Sequence, residues 1–433
     1  MEFAEAQEYL LSLGFELSVK KFGLENSLAL LEALNDPQKN YPKIQVAGTN
    51  GKGSTCAFME SILLAAGYKV GLNTSPHLIS ITERIRINGA EISEERFAYY
   101  ATIVRRKGEE LVAQRHLKAL PTYFEHVTAI ALLAFADAKV DIAILETGLG
   151  GRFDATTAAR AEIAVLTPID LDHTNILGPT IEKIASEKAA IIRSDAAVVI
   201  SRQMNEAMAV IRTKCAAEGL EPVYSDSISA DLKDGKVSFK SPIGTYTDIR
   251  LGLKGIHQIE NARTAIAAAN LLEARGFKIG PSSIRKGLES AVHRGRLEYF
   301  DGILFDGAHN ESGARALREH LDENIEVPIT MIFASMTGKD LEKISRELFT
   351  RAEKIVFVRP ENPRAMETRE LKGFLPDEFD RKNAFEAESV PDALRIAQEV
   401  VGGGLILVTG SLYLVGESQA HLSKKVAAVR NRP

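Results

Sequence analysis

Val46-Ala47-Gly48-Thr49-Asn50-Gly51-Lys52-Gly53-Ser54-Thr55 follows a short apolar run, Ile44 to Ala47, and leads into a helical pattern reaching about Ala66. Three glycines let the backbone turn tightly and present its N–H groups. Lys52 adds a mobile positive charge, and the hydroxyls of Ser54 and Thr55 can reach a metal. Strand, glycine loop and helix N-terminus together form a phosphate cradle, which implies a nucleoside triphosphate. The spacing departs from the usual Walker pattern. Val46 stands where the first glycine is expected, and Gly53 separates the lysine from Ser54. A plain glycine-rich turn is the bland alternative, but a turn needs neither the lysine nor the paired hydroxyls.

The bulk properties narrow the classes. A chain of 433 residues exceeds one ordinary core, so two domains are expected. A net charge of −5 supplies no basic field for nucleic acid or anionic lipid. Two cysteines, Cys56 and Cys215, without a CxxC, suit a reducing compartment and exclude a cysteine zinc site. The acidic N-terminus Met1-Glu2-Phe3-Ala4-Glu5 lacks the order of a secretory signal. No apolar run approaches the roughly 20 residues that span a bilayer. Cytoplasm is the expected setting, and a monomer the expected state.

Short apolar runs alternate with helical patterns. Strands are expected at Ile44–Ala47, Ile142–Glu146, Ile163–Thr167, Ala197–Ser201, Pro328–Ala334, Ile355–Val358 and Leu405–Thr409. Most are apolar throughout, as in parallel strands buried on both faces. Helices are expected at Gly53–Ala66, Phe124–Phe135, Ile181–Ile192 and Ile259–Ala274. This alternation predicts an α/β chain of two doubly wound domains. Val223–Leu251 reads differently, with Asp234-Gly235-Lys236 as a hairpin signal, and predicts a small antiparallel insert. The domain boundary is expected near His293-Arg294-Gly295-Arg296, giving domains 1–294 and 295–433.

Polar residues collect past the ends of these strands. Glu146 closes Ile142-Ala143-Ile144-Leu145, where open α/β sheets bind ligands, and beside a phosphate loop it would hold Mg²⁺ directly or through water. A helix cap or surface acid is the plainer reading. Asp170-Leu171-Asp172-His173 follows Thr167. Either Asp172 or His173 can bind metal or orient a water, although Mg²⁺ prefers oxygen. On a helix, Lys188 shares an apolar stripe with Ile181, Ile184, Ala185 and Ile191. A buried lysine must snorkel, pair or lose its charge, and a neutral amine can take up carbon dioxide as a carbamate anion. A lysine reaching a carboxylate at the helix edge fits the spacing equally well. Asp306-Gly307-Ala308-His309-Asn310 follows Ile303-Leu304-Phe305. It reads as a nucleotide or substrate contact, or as a β-to-α turn capped by Asn310. Arg296, near the expected hinge, can clamp a phosphate.

Together these segments resemble the folylpolyglutamate synthase/dihydrofolate synthase family, a branch of the Mur ligases, over nearly the whole chain. The resemblance rests on Phe22-Gly23-Leu24, Gly48 to Ser54, Thr74-Ser-Pro-His77 with Glu83-Arg84-Ile85, Thr122-Tyr-Phe-Glu125, and Glu146 through Ala155. It continues with Leu171-Asp-His-Thr174, Glu187-Lys188-Ala189, His257-Gln258 with Asn261-Ala262, Gly295 to Glu298, Asp306 to Asn310 and Thr409-Gly410-Ser411. Each is weak alone, and their order and spacing are specific.

The resemblance implies a P-loop ATPase-like N-terminal domain and a smaller Rossmann-like C-terminal domain. It implies an ATP-dependent ligase that joins dihydropteroate or a reduced folate to L-glutamate through an acyl phosphate, with domain closure excluding water. Gly51, Lys52, Gly53 and Ser54 would hold the triphosphate. Asn261, Arg296 and Asp306 would contact ATP, with His309 nearby. Ser75, Glu146 and His173 would bind Mg²⁺, and Lys188 would be carbamylated, as N6-carboxylysine. Gly23, Leu24, Glu25, Asn26, Thr122, Tyr123, Phe124, Glu125, Phe153, Asp154 and Ala155 would line the pterin pocket. Asn26, Thr157, His293-Arg294 and Ile79-Ser80-Ile81-Thr82 depart from the family pattern and bear on substrate preference. The Thr122–Glu125 segment points to a bifunctional enzyme. A UDP-muramyl peptide ligase would share the ATP site but need a uridine-nucleotide pocket. A nucleotide switch would not need the second-domain motifs.

Overall fold

The computed structural model describes residues 1–14 and 23–430, with side chains described as far as Lys424. Phe22 lies outside the described residues. The chain divides into two compact units. The first takes the described part of Met1–Asp170, then Leu177–Gly252 and Ile259–Val292. The second takes Leu171–Ile176, Leu253–Gln258 and the chain from His293 onward. Two short segments therefore pack with the second unit although they precede the expected division at residues 294 and 295. One of them carries Asp172 and His173.

The first unit is built on an eight-stranded sheet. In chain order its strands are β1 (Lys43–Ala47), β2 (Val70–Asn73), β3 (Ile85–Ile87), β4 (Ala90–Glu91), β5 (Ile142–Glu146), β6 (Ile163–Leu166), β7 (Ala197–Ile200) and β8 (Val223–Tyr224). They lie in the order β4-β3-β2-β5-β1-β6-β7-β8. The six strands from β2 to β8 across the sheet are parallel, and β3 and β4 add an antiparallel edge. β1, β2, β5 and β6 are buried at every residue, which is why β1, β5 and β6 read as mostly apolar runs. β1 has β5 on one side and β6 on the other, so the chain leaves β1 at the point where the strand order reverses. Open α/β sheets hold ligands at that point.

One apolar layer on this sheet gathers Leu10, Leu30, Leu31, Phe97, Val104, Ile130 and Phe135 from four helices. Another gathers Ile184, Ile192, Ile211 and Cys215. The helix Lys52–Ala65 is buried around most of its circumference, as a helix inside a fold must be.

Three strands, β9 (Ser229–Lys233), β10 (Lys236–Ser241) and β11 (Gly244–Ile249), form a separate antiparallel sheet. Asp234 and Gly235 turn β9 into β10 with φ of 50° and 70°, the left-handed pair a two-residue hairpin requires. The insert expected from Val223 starts later, because Val223 and Tyr224 pair parallel to β7 in the large sheet.

The second unit holds β12 (Glu298–Phe300), β13 (Ile303–Phe305), β14 (Ile329–Phe333), β15 (Lys354–Val358), β16 (Ala384–Ala387) and β17 (Leu405–Thr409). Their order is β12-β13-β17-β14-β15-β16, parallel except for the β12–β13 hairpin. Phe333, Phe349 and Phe357 pack edge to face with centroids 4.9, 5.7 and 6.5 Å apart and anchor its core. The fold is thus α/β with two parallel-rich sheets and a small antiparallel insert. Among the described residues no helix is long and apolar enough to cross a membrane.

Candidate active site

In the first unit the chemistry gathers on the loop between β1 and the helix Lys52–Ala65. Thr49 N–H and Asn50 N–H donate to the Pro168 carbonyl at 2.9 and 3.1 Å, and Thr49 Oγ1 donates to the Asp170 carbonyl at 3.0 Å. These bonds pin the loop to the end of β6. Gly48 lies so close to Thr167 that a Cβ would sit 1.9 Å from Oγ1. Gly51 caps the helix with φ 81°, and a Cβ there would meet Asn261 Oδ1 at 2.2 Å. No side chain caps this helix. Its first N–H groups have no intrahelical acceptors, so the end is electropositive.

Two lysines converge on the same loop. Lys52 Nζ donates to the carbonyls of Gly48 and Thr49 at 3.1 and 3.2 Å. Lys188 sits on the buried face of the helix Ile181–Ala189, and its Nζ donates to the Gly48 carbonyl at 2.7 Å. The apolar stripe read from the sequence therefore carries Lys188 to the phosphate loop. Arg152, paired with Glu187 at 2.8 Å, docks the end of that helix on the turn after β5.

Glu146 ends β5 with Val46 of β1 directly opposite, so its carboxylate stands beside the loop. It is buried and accepts the Ser75 N–H at 3.1 Å. Gly53 is half-buried, and Ser54 and Thr55 are buried in the first turn of the helix.

Several residues expected to line a pocket also brace the backbone. Asp154 takes the N–H groups of Gly148 and Leu149 at 2.8 and 2.9 Å on one oxygen and Thr156 N–H at 3.0 Å on the other. Burial pushes its carboxyl up. Thr122 caps the helix Tyr123–Ala138, and Glu125 accepts the Thr122 N–H at 2.7 Å and the Ser27 hydroxyl at 3.0 Å. Glu125 thereby ties this helix to the helix Glu25–Ala33. Phe124 packs on Gly148, where a Cβ would stand 2.7 Å from the ring. Tyr123 and Ala155 are buried, Phe153 is 45% exposed, and Gly23, Leu24 and Asn26 are half-buried. Glu25 is exposed, and its carboxylate lies over Gly23.

His77 closes the Thr74–His77 motif, which by itself assigns it no role. Its Nδ1 accepts the Arg84 Nε–H at 2.8 Å. Burial, then the charge of Arg84, pushes its pKa down to about 3, so it is neutral at pH 7.

The second unit carries the rest. Asp306 directly follows β13 and accepts Leu297 N–H at 3.0 Å and Ala308 N–H at 2.9 Å. Its carboxyl is pushed up by burial, against the pull of Arg296. The bond to Leu297, together with Gly307 N–H to the Gly295 carbonyl at 2.9 Å, fixes the turn that holds Arg296. His309 shares Nδ1 with the Gly307 carbonyl at 2.7 Å, and burial, then Lys339, pushes it down to about 3. Asn310 caps the helix Glu311–Asn324 through Gly313 N–H at 2.8 Å.

Asp172 accepts Lys339 Nζ at 2.6 Å and the His173 N–H at 2.8 Å. Its other oxygen lies 3.9 Å from His173 Nε2 and 3.8 Å from His309 Nε2. Burial alone would raise its carboxyl, but His173, Lys339 and His309 outweigh it and hold it well below the usual range. His309 is neutral at pH 7, and Lys339, at 2.6 Å, is the nearest charge to Asp172. Sequence reasoning did not single out Lys339, since the loop after β14 offers no motif of its own.

Among the described residues no three His, Cys, Asp or Glu side chains converge as a ready-made metal cage. The single buried carboxylate of Glu146, with Ser75 bonded to it, would suit Mg²⁺ bound with a triphosphate, which takes one or two carboxylates and completes its shell with phosphate and water oxygens.

Residues 46–269 match the Mur ligase middle domain, and residues 300–421 match the dihydrofolate synthetase C-terminal domain. The dihydrofolate synthase/folylpolyglutamate synthase of Bacillus subtilis is 36% identical over 93% of this chain and 96% of its own length. The enzyme of that name from Mycobacterium tuberculosis is 33% identical over 90% of this chain and 88% of its own. Among solved structures, Mycobacterium tuberculosis folylpolyglutamate synthase complexed with ADP superposes with a TM-score of 0.90 at 29% identity, covering 97% of this chain and 98% of that one. Escherichia coli FolC in complex with DHPP and ADP superposes with a TM-score of 0.86 at 32% identity, covering 100% of this chain and 99% of that one. With the two sheets, the loop after β1 and both domains matched, the chain belongs to the dihydrofolate synthase/folylpolyglutamate synthase family of Mur ligases.

Proposed function

We propose that the protein is an ATP-dependent ligase that adds L-glutamate to dihydropteroate and to reduced folates, releasing ADP and phosphate. The observation that carries this is the convergence of Lys52 and Lys188 on the Gly48 carbonyl, with Glu146 on the adjacent strand. The charge of Lys52 and a carboxylate around an uncapped helix N-terminus suit a metal-bound triphosphate. The ADP complexes of its structural relatives support the nucleotide.

In this reading Gly51, Lys52, Gly53 and Ser54 hold the phosphates, and Asn261 and Arg296 contact the nucleotide. Asp306 serves by fixing the turn that carries Arg296, and His309 stands next to that turn. Ser75 and Glu146 are donors to Mg²⁺, with His173 a further nitrogen donor. When bound, that ion withdraws charge from the phosphate oxygens. Lys188 is carbamylated, which turns a buried cation into an anion with two oxygens. Phe153, Tyr123, Phe124 and Ala155 border the pterin, with Gly23, Leu24, Glu25 and Asn26 near it. Thr122, Glu125 and Asp154 shape its walls. Residues 1–294 bear the nucleotide loop and pterin pocket, and residues 295–433 complete nucleotide and glutamate binding.

The chemistry follows from charge. A carboxylate oxygen attacks the γ-phosphorus and the bond to the β-phosphate oxygen breaks, giving an acyl phosphate and ADP. The amine of glutamate then adds to the acyl carbon, loses a proton and expels phosphate. Lys52 offsets the repulsion of the first step, where two anions meet. The test supplies ATP, Mg²⁺, glutamate and either dihydropteroate or a reduced folate, with mass detection of glutamylated product. The expected result is a new amide with both acids, and a hydroxamate when hydroxylamine replaces glutamate. Absence of both products overturns the reading.

A further inference from the structure

One guanidinium in the first unit is held by two ring side chains and keeps its terminal nitrogens without an acceptor among the described residues. Arg84 ends the turn Ile81–Arg84 that leads into β3, and only 9% of it is exposed. Its carbonyl accepts Asn73 Nδ2–H and Thr74 N–H at 3.0 Å each. Its Nε–H donates to His77 Nδ1 at 2.8 Å, and its plane lies over the Tyr123 ring, 5.4 Å from the centroid. The neighbouring carboxylate is committed elsewhere: Glu83 accepts the N–H groups of Leu78, Ile79 and Ser80, each at 2.8 Å. Among the described residues no carboxylate pairs with Arg84, and no acceptor meets its two terminal nitrogens.

A largely buried cation without a carboxylate is costly unless a ligand supplies one. The open end of a guanidinium presents two parallel N–H donors, the geometry that matches a carboxylate. The location narrows the choice of ligand. Thr74, bonded to the Arg84 carbonyl, precedes Ser75, whose N–H is on Glu146. Tyr123, under the guanidinium, precedes Phe124, which packs on Gly148 just beyond Glu146. Arg84 is thus tied by its backbone to the segment that leads into the Ser75–Glu146 corner, and by its guanidinium to the aromatic start of the helix Tyr123–Ala138.

We propose that Arg84 binds the carboxylate of the organic acid that is to be phosphorylated, holding it through both terminal nitrogens beside the Ser75–Glu146 corner. This rests on the ligase reading and adds the residue that places its first nucleophile. His77 and Tyr123 fix the guanidinium before the acid arrives, so little side-chain freedom is lost on binding.

The test is a cycle over one group on the protein and one on the ligand. Dihydropteroate and its primary carboxamide are titrated calorimetrically, without glutamate or nucleotide, into wild-type protein, Arg84→Gln and Arg84→Lys. Wild type should prefer the carboxylate by roughly 10- to 100-fold, the size of charge-assisted hydrogen bonds. In Arg84→Gln that preference should vanish while carboxamide binding changes little. Arg84→Lys should keep part of it, and it provides the same readout if the Gln variant does not fold. Steady-state kinetics should show a raised KM for the acid and unchanged KM values for ATP and glutamate. An undiminished carboxylate preference in both variants overturns the assignment, as does a KM change confined to glutamate. Wild-type protein that neither binds the acid nor forms the amide would instead refute the ligase reading itself.

Discussion

Two strand-to-helix turns, one in each unit, begin alike and end differently. The turn after β1 enters its helix through Gly51, without a side-chain cap, and holds Lys52 over the Gly48 and Thr49 carbonyls. The turn after β13 is closed from within: Asp306 takes two backbone N–H groups and Asn310 caps the helix. A helix start left uncapped keeps its partial charge for a phosphate, whereas one satisfied by its own side chains is a rigid mount. The first turn is built to bind and the second to hold its neighbour Arg296 in place.

The contrast can be broken by exchanging effects. Lys52→Ala should lower kcat by roughly 10²- to 10³-fold, since it removes charge from the phosphate transition state. Its melting temperature should stay near wild type, and a matching loss of stability would make Lys52 a structural residue. Asp306→Ala should do the reverse. It strands two buried N–H groups and should cost about 2–3 kcal/mol of stability in denaturant unfolding. Gly51→Ala lies between. The left-handed φ alone costs about 1–2 kcal/mol, and crowding of Asn261 should also weaken nucleotide binding, measured as the dissociation constant for ADP. Asn310→Ala should cost about 1 kcal/mol as a lost cap, with kcat little changed. An Asn310→Ala variant with activity as low as Lys52→Ala would erase the distinction.

A smaller effect is visible in pH. Burial raises the Asp306 carboxyl in the folded protein, so the native state binds that proton more tightly than the unfolded chain. Its contribution is most favourable below the unfolded pKa near 4 and is lost as pH rises through the higher folded value. Asp306→Asn removes this slope. Unfolding midpoints followed between about pH 3 and 7 should show wild type losing ground to the variant as pH rises. Parallel curves would mean that the carboxyl is not perturbed.

The sequence disclosed what repeats along a line and hid what closes in space. β1, β5, β6, β7, β14, β15 and β17 read as strands, most of them apolar throughout, because both faces of each are covered. β2 did not, since Val70-Gly71-Leu72-Asn73 is short and places a glycine against the Phe135 ring. Nor did β4, which has only two exposed residues. Lys188 was legible from its stripe because a helix maps spacing onto a face. The bracing by Asp154, Glu125 and Asp306 was not, because the donors they accept are backbone N–H groups, which nearly every residue carries. The Glu83-Arg84-Ile85 motif gives Arg84 no role, because the setting of its guanidinium depends on His77 and Tyr123 coming to it in space. The family resemblance supplied the remaining roles.

The β9–β11 sheet leans on the helix Pro281–Ser290, where Arg285 donates to the carbonyls of Thr247 and Asp248. That same helix presses Gly287 against the backbone of Ile62, within the helix that begins at Lys52. For protein engineering the hairpin tip and its base are therefore unequal sites. A reporter peptide spliced between Asp234 and Gly235 would dangle harmlessly, whereas excising the whole sheet would loosen the rod on which the phosphate loop is mounted.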